Sequence, residues 1–446
     1  MSPSPRRARL LTLLGKEWYE LTAARSFWLL FLMIGPLVGH GFITAVETYA
    51  EASGIHGGPA ALAQGLSPLD GILVPTFGAY DLAVTLLFPF IAIRLIAAEK
   101  QNGAWKLMMQ APAAMPAQLF AKAAILLAGW ALVWAPGILA VALWKLYGGA
   151  IYPPEALNLL LGYLLRAVLA SGVAVAAAAI ADNAATAAIA TLGFTVGTWA
   201  LDFVAAGRGG WLARLASYTP TSALKIFEHG ELGLSTLLVI LLLGIAGFTV
   251  SAIWQIGYRT IGWKLARSFA AVAGLALVAA GAALLRPAWD LTENRRNSLP
   301  RADEQALRQI RQPLRITVYL APEDPRLLDL NREVLSKLDR ILPQVEIEYA
   351  ARGRTGLFEG PAERYGEIWY EIDGRRAMSR SATPEIVLAT LYQLAGIAPP
   401  SRAADEPYAG HPLAAEPRGA AWVLYLLWPL VVSAACWLHF RYRSRS

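Results

Sequence analysis

The residues of this chain that are able to do chemistry mostly stand alone. Five histidines, His40, His56, His229, His411 and His439, are scattered with no pair at ligand spacing. Cys436 is the single cysteine, which excludes a disulfide framework and a cysteine-based metal cluster. The sequence has no GxxxxGK followed by Ser or Thr, no HExxH and no GxSxG. Glu359, Glu363, Glu367 and Glu371 recur like a solvated face, and nothing nearby orients them as a working pair. No catalytic residue and no metal-ligand set is therefore assigned. What remains is a charged set where two apolar runs meet, in residues 86–122: Glu99, Lys100 and Lys106, with Gly103, Leu107 and Pro112 among them. Such a charged, amphipathic elbow lies at a membrane surface between two spanning helices. It offers another protein something to grip, and it makes no bonds.

The composition supports that setting. The chain has 446 residues, 56% hydrophobic and only 16% charged, with a mean hydropathy of +0.44. Soluble chains carry about 25% charged residues. Crossing about 30 Å of hydrocarbon takes about 20 helical residues, and several apolar runs reach that length. Trp and Tyr cluster near the ends of runs, as in an interfacial belt (Trp18, Tyr147, Trp254, Trp289). The formal charge of +7 fits positive-inside bias better than nucleic-acid binding.

About eight spans are expected. Residues 1–26 form an amphipathic helix in the inner interface, with Leu10, Leu13, Leu14, Trp18 and Leu21 at helical spacing and Lys16 and Glu17 among the charges. The first run lacks a cleavage site and is expected to stay as an anchor. A six-span core covers residues 27–257: Phe27–Val46, Gly71–Ala97, Leu119–Tyr147, Leu157–Ile180, Ala184–Ala206 and Gly233–Gly257. Glu47–Asp70 is expected as a loop. The fourth and fifth spans are rich in Ala and Gly, which places the pair at a bundle centre or near a subunit interface. Arg166 inside the fourth span should face protein or water. Trp211, Leu212, Leu215 and Phe227 are expected against the outer leaflet. Residues 258–288 hold a basic inner turn and the seventh span, Ser268–Leu285.

At Arg286 the sequence turns polar. Residues 289–419 read as a small α/β domain and tether, with strands at Leu314–Leu320, Gln344–Tyr349, Gly366–Ile372 and Arg376–Ser379, and helices at Pro325–Leu342 and Pro384–Ala395. Ser381 or Thr383 is a candidate cap for the second helix. The order suggests a thioredoxin-like domain, and without a CxxC it performs no thiol–disulfide exchange. Residues 420–438 form the eighth span and residues 439–446 a basic tail. With the N-terminus inside, the elbow, the turn at Tyr258–Arg267 and the C-terminus all fall inside and are basic, and the domain falls outside.

Two stretches carry a family resemblance. Glu99, Gly103, Leu107, Pro112 and then Lys122 resemble the elbow of type-2 ABC exporter permeases, with Ala104 where Thr is usual and Ala121 where Gly is usual. Asp290, Thr292, Arg296, Ser298 and Leu299, with the later Tyr365-Gly366, resemble the extracytoplasmic domain of the gliding-motility-associated ABC transporter auxiliary family, here in a short form. The resemblance implies a permease fused to its periplasmic partner in a bacterial inner membrane, with both termini cytoplasmic. It implies a cytoplasmic ATPase dimer that binds ATP and Mg, docked on the elbow beside Lys16, Glu17 and Trp18, and no cofactor in this chain. A second copy or a related permease would complete the unit, with membrane lipid and a periplasmic protein as further partners and no nucleic acid. Two readings stay open, an exporter subunit and a non-transporting scaffold that transmits force to periplasmic proteins. A membrane enzyme would need a polar catalytic cluster, which the sequence does not offer.

Overall fold

The computed structural model describes residues 5–54, 65–103, 115–205, 211–321, 324–350, 364–400 and 408–443. Among them, seven helices are long and apolar enough to cross a membrane, and a bent pair, Leu69–Asp81 with Thr85–Gln101, makes an eighth if counted as one span. The protein is thus a polytopic helical membrane protein, with a small mixed α/β region inserted before the last span. We call the side of Pro5 and Arg443 the terminal face, and the other side the domain face.

Helix α1 (Pro5–Ala23) lies beside the bundle. It buries Leu21 while Leu11 and Tyr19 stay exposed, which is how its helical-spaced apolar residues predict it should lie. The chain turns at Ala24, whose φ and ψ are extended, and Trp28 Nε1 donates to Thr22 O at 2.8 Å. Helix α2 (Arg25–Ala52) follows and runs six residues further than the expected first span. No breaker precedes Gly54, and Ser53 Oγ extends the ladder by bonding Tyr49 O at 2.8 Å. Helix α3 (Val74–Gln101), entered through a π-turn at Leu69–Leu73, contains Pro89. The 44° bend falls just before Thr85, the residue whose carbonyl the Pro89 ring crowds. The third span is split into α4 (Met115–Val133) and α5 (Ala135–Leu146), with Pro136 in the first turn of α5.

Helix α6 (Pro153–Ile180) is the hub, with 61% of its apolar window buried. Helix α7 (Ala184–Ala205) shows only 11% burial. Of the pair expected at a bundle centre or near a subunit interface, α6 is central in the chain and α7 lies at its periphery. Short helices α8 (Trp211–Ala216) and α9 (Pro220–Glu228) cover the domain face. Trp211 and Leu215 point outward as expected, but Phe227 is buried. Gly162 leaves it room, since a Cβ there would lie 2.6 Å from Phe227 Cβ.

Helix α10 (Leu234–Trp254) packs along α6. The contact is backbone on backbone: a Cβ on Gly172 would sit 2.4 Å from Gly244 O, and one on Gly247 would sit 2.4 Å from the Gly172 carbonyl. In lipid, where apolar burial drives no association between helices, this proximity supplies the attraction. Helix α11 (Ile261–Ala282) starts seven residues before the expected seventh span, because Thr260 caps it, with Oγ1 accepting from Trp263 N. Lys264 and Arg267 are thus helical.

Two strands not foreseen, β1 (Glu231–Gly233) and β2 (Ala288–Asp290), pair antiparallel and tie α9 to the entry of the α/β region. That region contains α12 (Arg301–Leu307), β3 (Leu314–Val318), α13 (Pro325–Leu330), a π-turn at Asn331–Leu335, α14 (Ser336–Ile341), β4 (Val345–Tyr349), β5 (Ile368–Ile372), β6 (Arg375–Ser379) and α15 (Pro384–Ala395). The sheet order is β4-β3-β5-β6, with β3 parallel to β4 and antiparallel to β5. Alternate residues Leu314, Ile316 and Val318 enter a core of their own with Tyr370 and Leu391. Thr383 stands at the N-cap of α15 without a side-chain cap bond, so neither capping candidate caps it. The last span, a π-turn at Trp422–Leu427 leading into α16 (Trp428–Arg443), continues into the expected tail.

Gly172→Val should force α6 and α10 apart and lower the thermal midpoint in detergent, by an overpacking cost of about 1–3 kcal/mol. Gly193→Val, where a Cβ meets nothing within 4 Å, should leave the midpoint in place.

Candidate functional site

At the terminal face, three elements meet in a buried charge cluster. Helix α1 contributes Lys16, Glu17 and Glu20, the end of α3 contributes Glu99, and the start of α4 contributes Lys122. Lys122 Nζ donates to Glu17 Oε2 and Glu99 Oε1, each at 2.8 Å, and reaches Leu95 O at 3.4 Å. Lys16 Nζ lies 2.5 Å from Glu99 Oε1, 3.1 Å from Glu17 Oε1 and 3.2 Å from Glu20 Oε1. Glu17, Glu99 and Lys122 are at most 3% exposed. An isolated buried ion costs several kcal/mol, which only well-made pairing offsets. The Lys122 ammonium meets this condition, because all its donors have acceptors.

Burial opposes the charge on Lys16, yet bonds and attraction from Glu99 and Glu17 hold its pKa above the ordinary lysine range. Burial raises Glu20, and Lys16 partly offsets that. Glu17, Glu20 and Glu99 gather carboxylate oxygens within 4.8 Å of one another, a spacing that suits a metal ion. Here the ammonium groups of Lys16 and Lys122 supply the positive charge among them.

The structure thus brings Lys16 and Glu17 of the N-terminal helix together with Glu99 of the expected elbow and Lys122, the end of the elbow motif. The sequence reading passed over Glu20, although its i,i+4 spacing from Lys16 could have flagged it. Lys100 leaves this cluster. Its Nζ donates to Ala178, Ala179 and Ala181 carbonyls at 2.9, 2.6 and 3.0 Å. It satisfies the end of α6, where a helix lacks partners and favours a cation. Gly103, at φ +70°, takes the chain out of α3 in a left-handed conformation. Trp18 is 39% exposed on the outer side of α1. Lys106, Leu107 and Pro112 lie outside the described residues.

At the domain face, the second motif forms a knot. Asp290 Oδ1 accepts from Thr292 N at 3.0 Å and Thr292 Oγ1 at 2.5 Å. Its Oδ2 accepts from Asn297 N at 3.0 Å and Ser298 Oγ at 2.8 Å. Arg296 pairs with Asp70 and donates to His229 O, so it clamps the entry to α3 and the end of α9. Leu299 is buried in the core of the α/β region. Beside the knot, Glu155 Oε1 accepts from Glu293 N at 2.8 Å, and the Glu293 carboxylate meets His411 at 2.9 Å and Tyr408 at 3.0 Å. The motif residues therefore act as a joint between the inserted region and the helix ends.

Within the bundle, Arg166 is paired, with Nε 2.7 Å from Asp81 Oδ1 and 3.1 Å from Thr85 Oγ1. It borders a cavity of about 30 Å³, room for about one water. Arg166 thus faces protein, as expected of an arginine inside the fourth span. Neither a family model, a curated protein nor a solved structure matches the chain.

Lys122→Met removes the shared buried cation and leaves Glu17 and Glu99 to Lys16 alone. It should cost about 3–5 kcal/mol, read as a lower thermal midpoint. Adding Glu17→Gln and Glu99→Gln should recover most of the loss. Asp290→Ala should lose the five bonds of the Asp290 carboxylate and speed amide hydrogen exchange at Thr292 and Asn297. Unchanged protection there would dismiss the knot as a joint.

Proposed function

We propose that this chain is the membrane-spanning subunit of an ATP-driven transporter of the type-2 ABC exporter kind, in a bacterial inner membrane. A separate cytoplasmic ATPase dimer binds ATP and Mg and docks at the terminal face. A second copy or a related permease completes the unit. The observation that carries the reading is the buried ion cluster. It locks α1, the end of α3 and the start of α4 into one body, so a push on that body is passed to two spanning helices at once. Residues 289–419 are then periplasmic, and both termini cytoplasmic. Arg259, Lys264 and Arg267 on the terminal face favour this orientation. The β4-β3-β5-β6 order, with one parallel pair, supports a thioredoxin-like reading of the inserted region.

A second reading is a scaffold that moves periplasmic proteins without exporting anything. The Asp290 knot and the Glu293–His411–Tyr408 contacts favour it, because they tie the inserted region to the outer ends of the helices.

The test is purification from native membranes with ATPase assayed in the complex. Glu99 is buried in the cluster, so its substitution would disturb the fold as well as docking. Trp18, exposed on α1, and Lys106, a member of the elbow motif by sequence, make the better probes. Trp18→Glu and Lys106→Glu should each cut retained ATPase by about tenfold, equivalent to about 1.4 kcal/mol, with the thermal midpoint unchanged. Retention equal to wild type in both would sink the docking site. ATPase turnover stimulated by an exported compound selects the transporter reading, and turnover tied only to a retained periplasmic protein selects the scaffold.

A further inference from the structure

Helix α2 keeps one face open along its length, and the character of that face changes midway. Neighbouring helices cover its other sides. The last span seats on Gly35 and Gly39: a Cβ on Gly35 would collide with the Trp428 ring, and one on Gly39 would lie 2.7 Å from Leu424 Cβ. Trp428 Nε1 also donates to Phe31 O at 2.9 Å. Helix α3 seats on Gly41, where a Cβ would lie 3.0 Å from Ala79 Cβ and 3.2 Å from Pro75 O. The open face, read at helical spacing, runs Leu29, Met33, Leu37, His40, Thr44 and Thr48, all exposed. Its terminal half is apolar, as a lipid-facing surface should be. Its domain half is polar.

The polar half lines a groove of about 350 Å³ between α2 and the entry of α3, with Asp70, Gly71 and Pro75 as the far wall. At about 30 Å³ per molecule, that is room for about ten waters. Asp70 is paired with Arg296, so the groove starts beside the joint at the domain face. His40 is its deepest polar group. It lies seven residues from Glu47, about 10 Å along the helix, and fifteen from Arg25, about 22 Å. That depth is inside the hydrocarbon, where an ionisable side chain faces the protein interior or a water-filled cavity. The hydroxyls give the same reading. In other spans Thr76, Thr191 and Thr249 donate to the carbonyl four residues earlier, at 2.6, 2.9 and 2.8 Å, which satisfies a hydroxyl without water. Among the described residues Thr44 and Thr48 make no such bond, and the His40 ring has no partner.

We propose that this groove is a water-filled furrow that carries solvent from the domain face down to His40. Water both donates and accepts, so it matches the imidazole and the two hydroxyls together. Hydrocarbon offers them nothing. Below His40 the same face turns to Leu37 and Met33, and the furrow ends there. The membrane is thus breached by solvent on one side only, over about 10 Å of its depth. In the orientation proposed above that side is the periplasm. The furrow itself requires only that α2 spans a membrane, and it does not depend on any ATPase partner.

The experiment uses the full chain in sealed membrane vesicles that expose the α/β region. Cys436, its single cysteine, is first replaced by Ser, and single cysteines are then placed along the open face. A charged, membrane-impermeant methanethiosulfonate is added outside. Thr44→Cys and Thr48→Cys should react at least about tenfold faster than Leu37→Cys and Met33→Cys, because a hydrated thiol ionises to the reactive thiolate and one in apolar surroundings does not. Thr48→Trp, which plugs the mouth, should slow the reaction of Thr44→Cys. Labelling at both threonine positions no faster than at Leu37, labelling there by a lipid-soluble maleimide alone, or a disulfide between two copies in place of labelling would each overturn the proposal. A thermal midpoint equal to that of the Cys436→Ser protein shows that a variant is folded, and the two threonine positions are read independently, so a folding fault at one leaves the other to decide.

Discussion

Everything at the terminal face depends on one ammonium group that must not leave water unaccompanied. Lys122 is buried, and so are Glu17 and Glu99. Removing Lys122 leaves both carboxylates to Lys16, and removing either carboxylate takes an acceptor from a buried cation, at a cost of several kcal/mol. The cluster therefore fixes where α1 lies, since Glu17 reaches Lys122 only if the helix lies across the start of α4. It also fixes the end of α3 against the start of α4. The exit of the chain at Gly103 starts from a rigid point as a result.

The bundle is organised by a different force. No polar pairing holds α6 to α10. Their glycines bring the backbones together, and dispersion between close surfaces provides the attraction. Arg166, by contrast, pairs with Asp81 and Thr85 and so ties α6 to α3. Lys100 repeats that tie at the terminal end, where it closes the last carbonyls of α6. The two spans are thus pinned at two depths.

Much of the architecture was legible because its signals are local. Hydropathy located the spans, and the alternation in Leu314–Val318 located a central strand. Thr260 is readable as a cap in principle, but the basic residues after it read as a turn, which sets the expected start of α11 late. The Ala- and Gly-rich spans show where the limit lies. Small residues say that a close approach is allowed, and not which helix approaches. The fourth span found α10, and the fifth turned outward. Likewise Glu99 reads from the sequence as an exposed docking charge, because nothing local shows that α1 covers it. The strands β1 and β2 are three residues long and carry no periodicity. The Asp290 motif could be seen as a unit, but its role as a joint rests on Asp70 and His229, which are remote in sequence.

The contact between α2 and the last span joins residues 397 positions apart, from Phe31 to Trp428. At a synthesis rate of about 5–20 residues per second, α2 is in place for roughly 20–80 s before Trp428 is made. Through that interval the notch at Gly35 and Gly39 is open to the bilayer, while the α/β region is made and folds. Whatever rests in the notch must be weak enough to yield to an indole ring. The final helix thus acts as a late keystone, and its delay sets the longest wait in the birth of the protein.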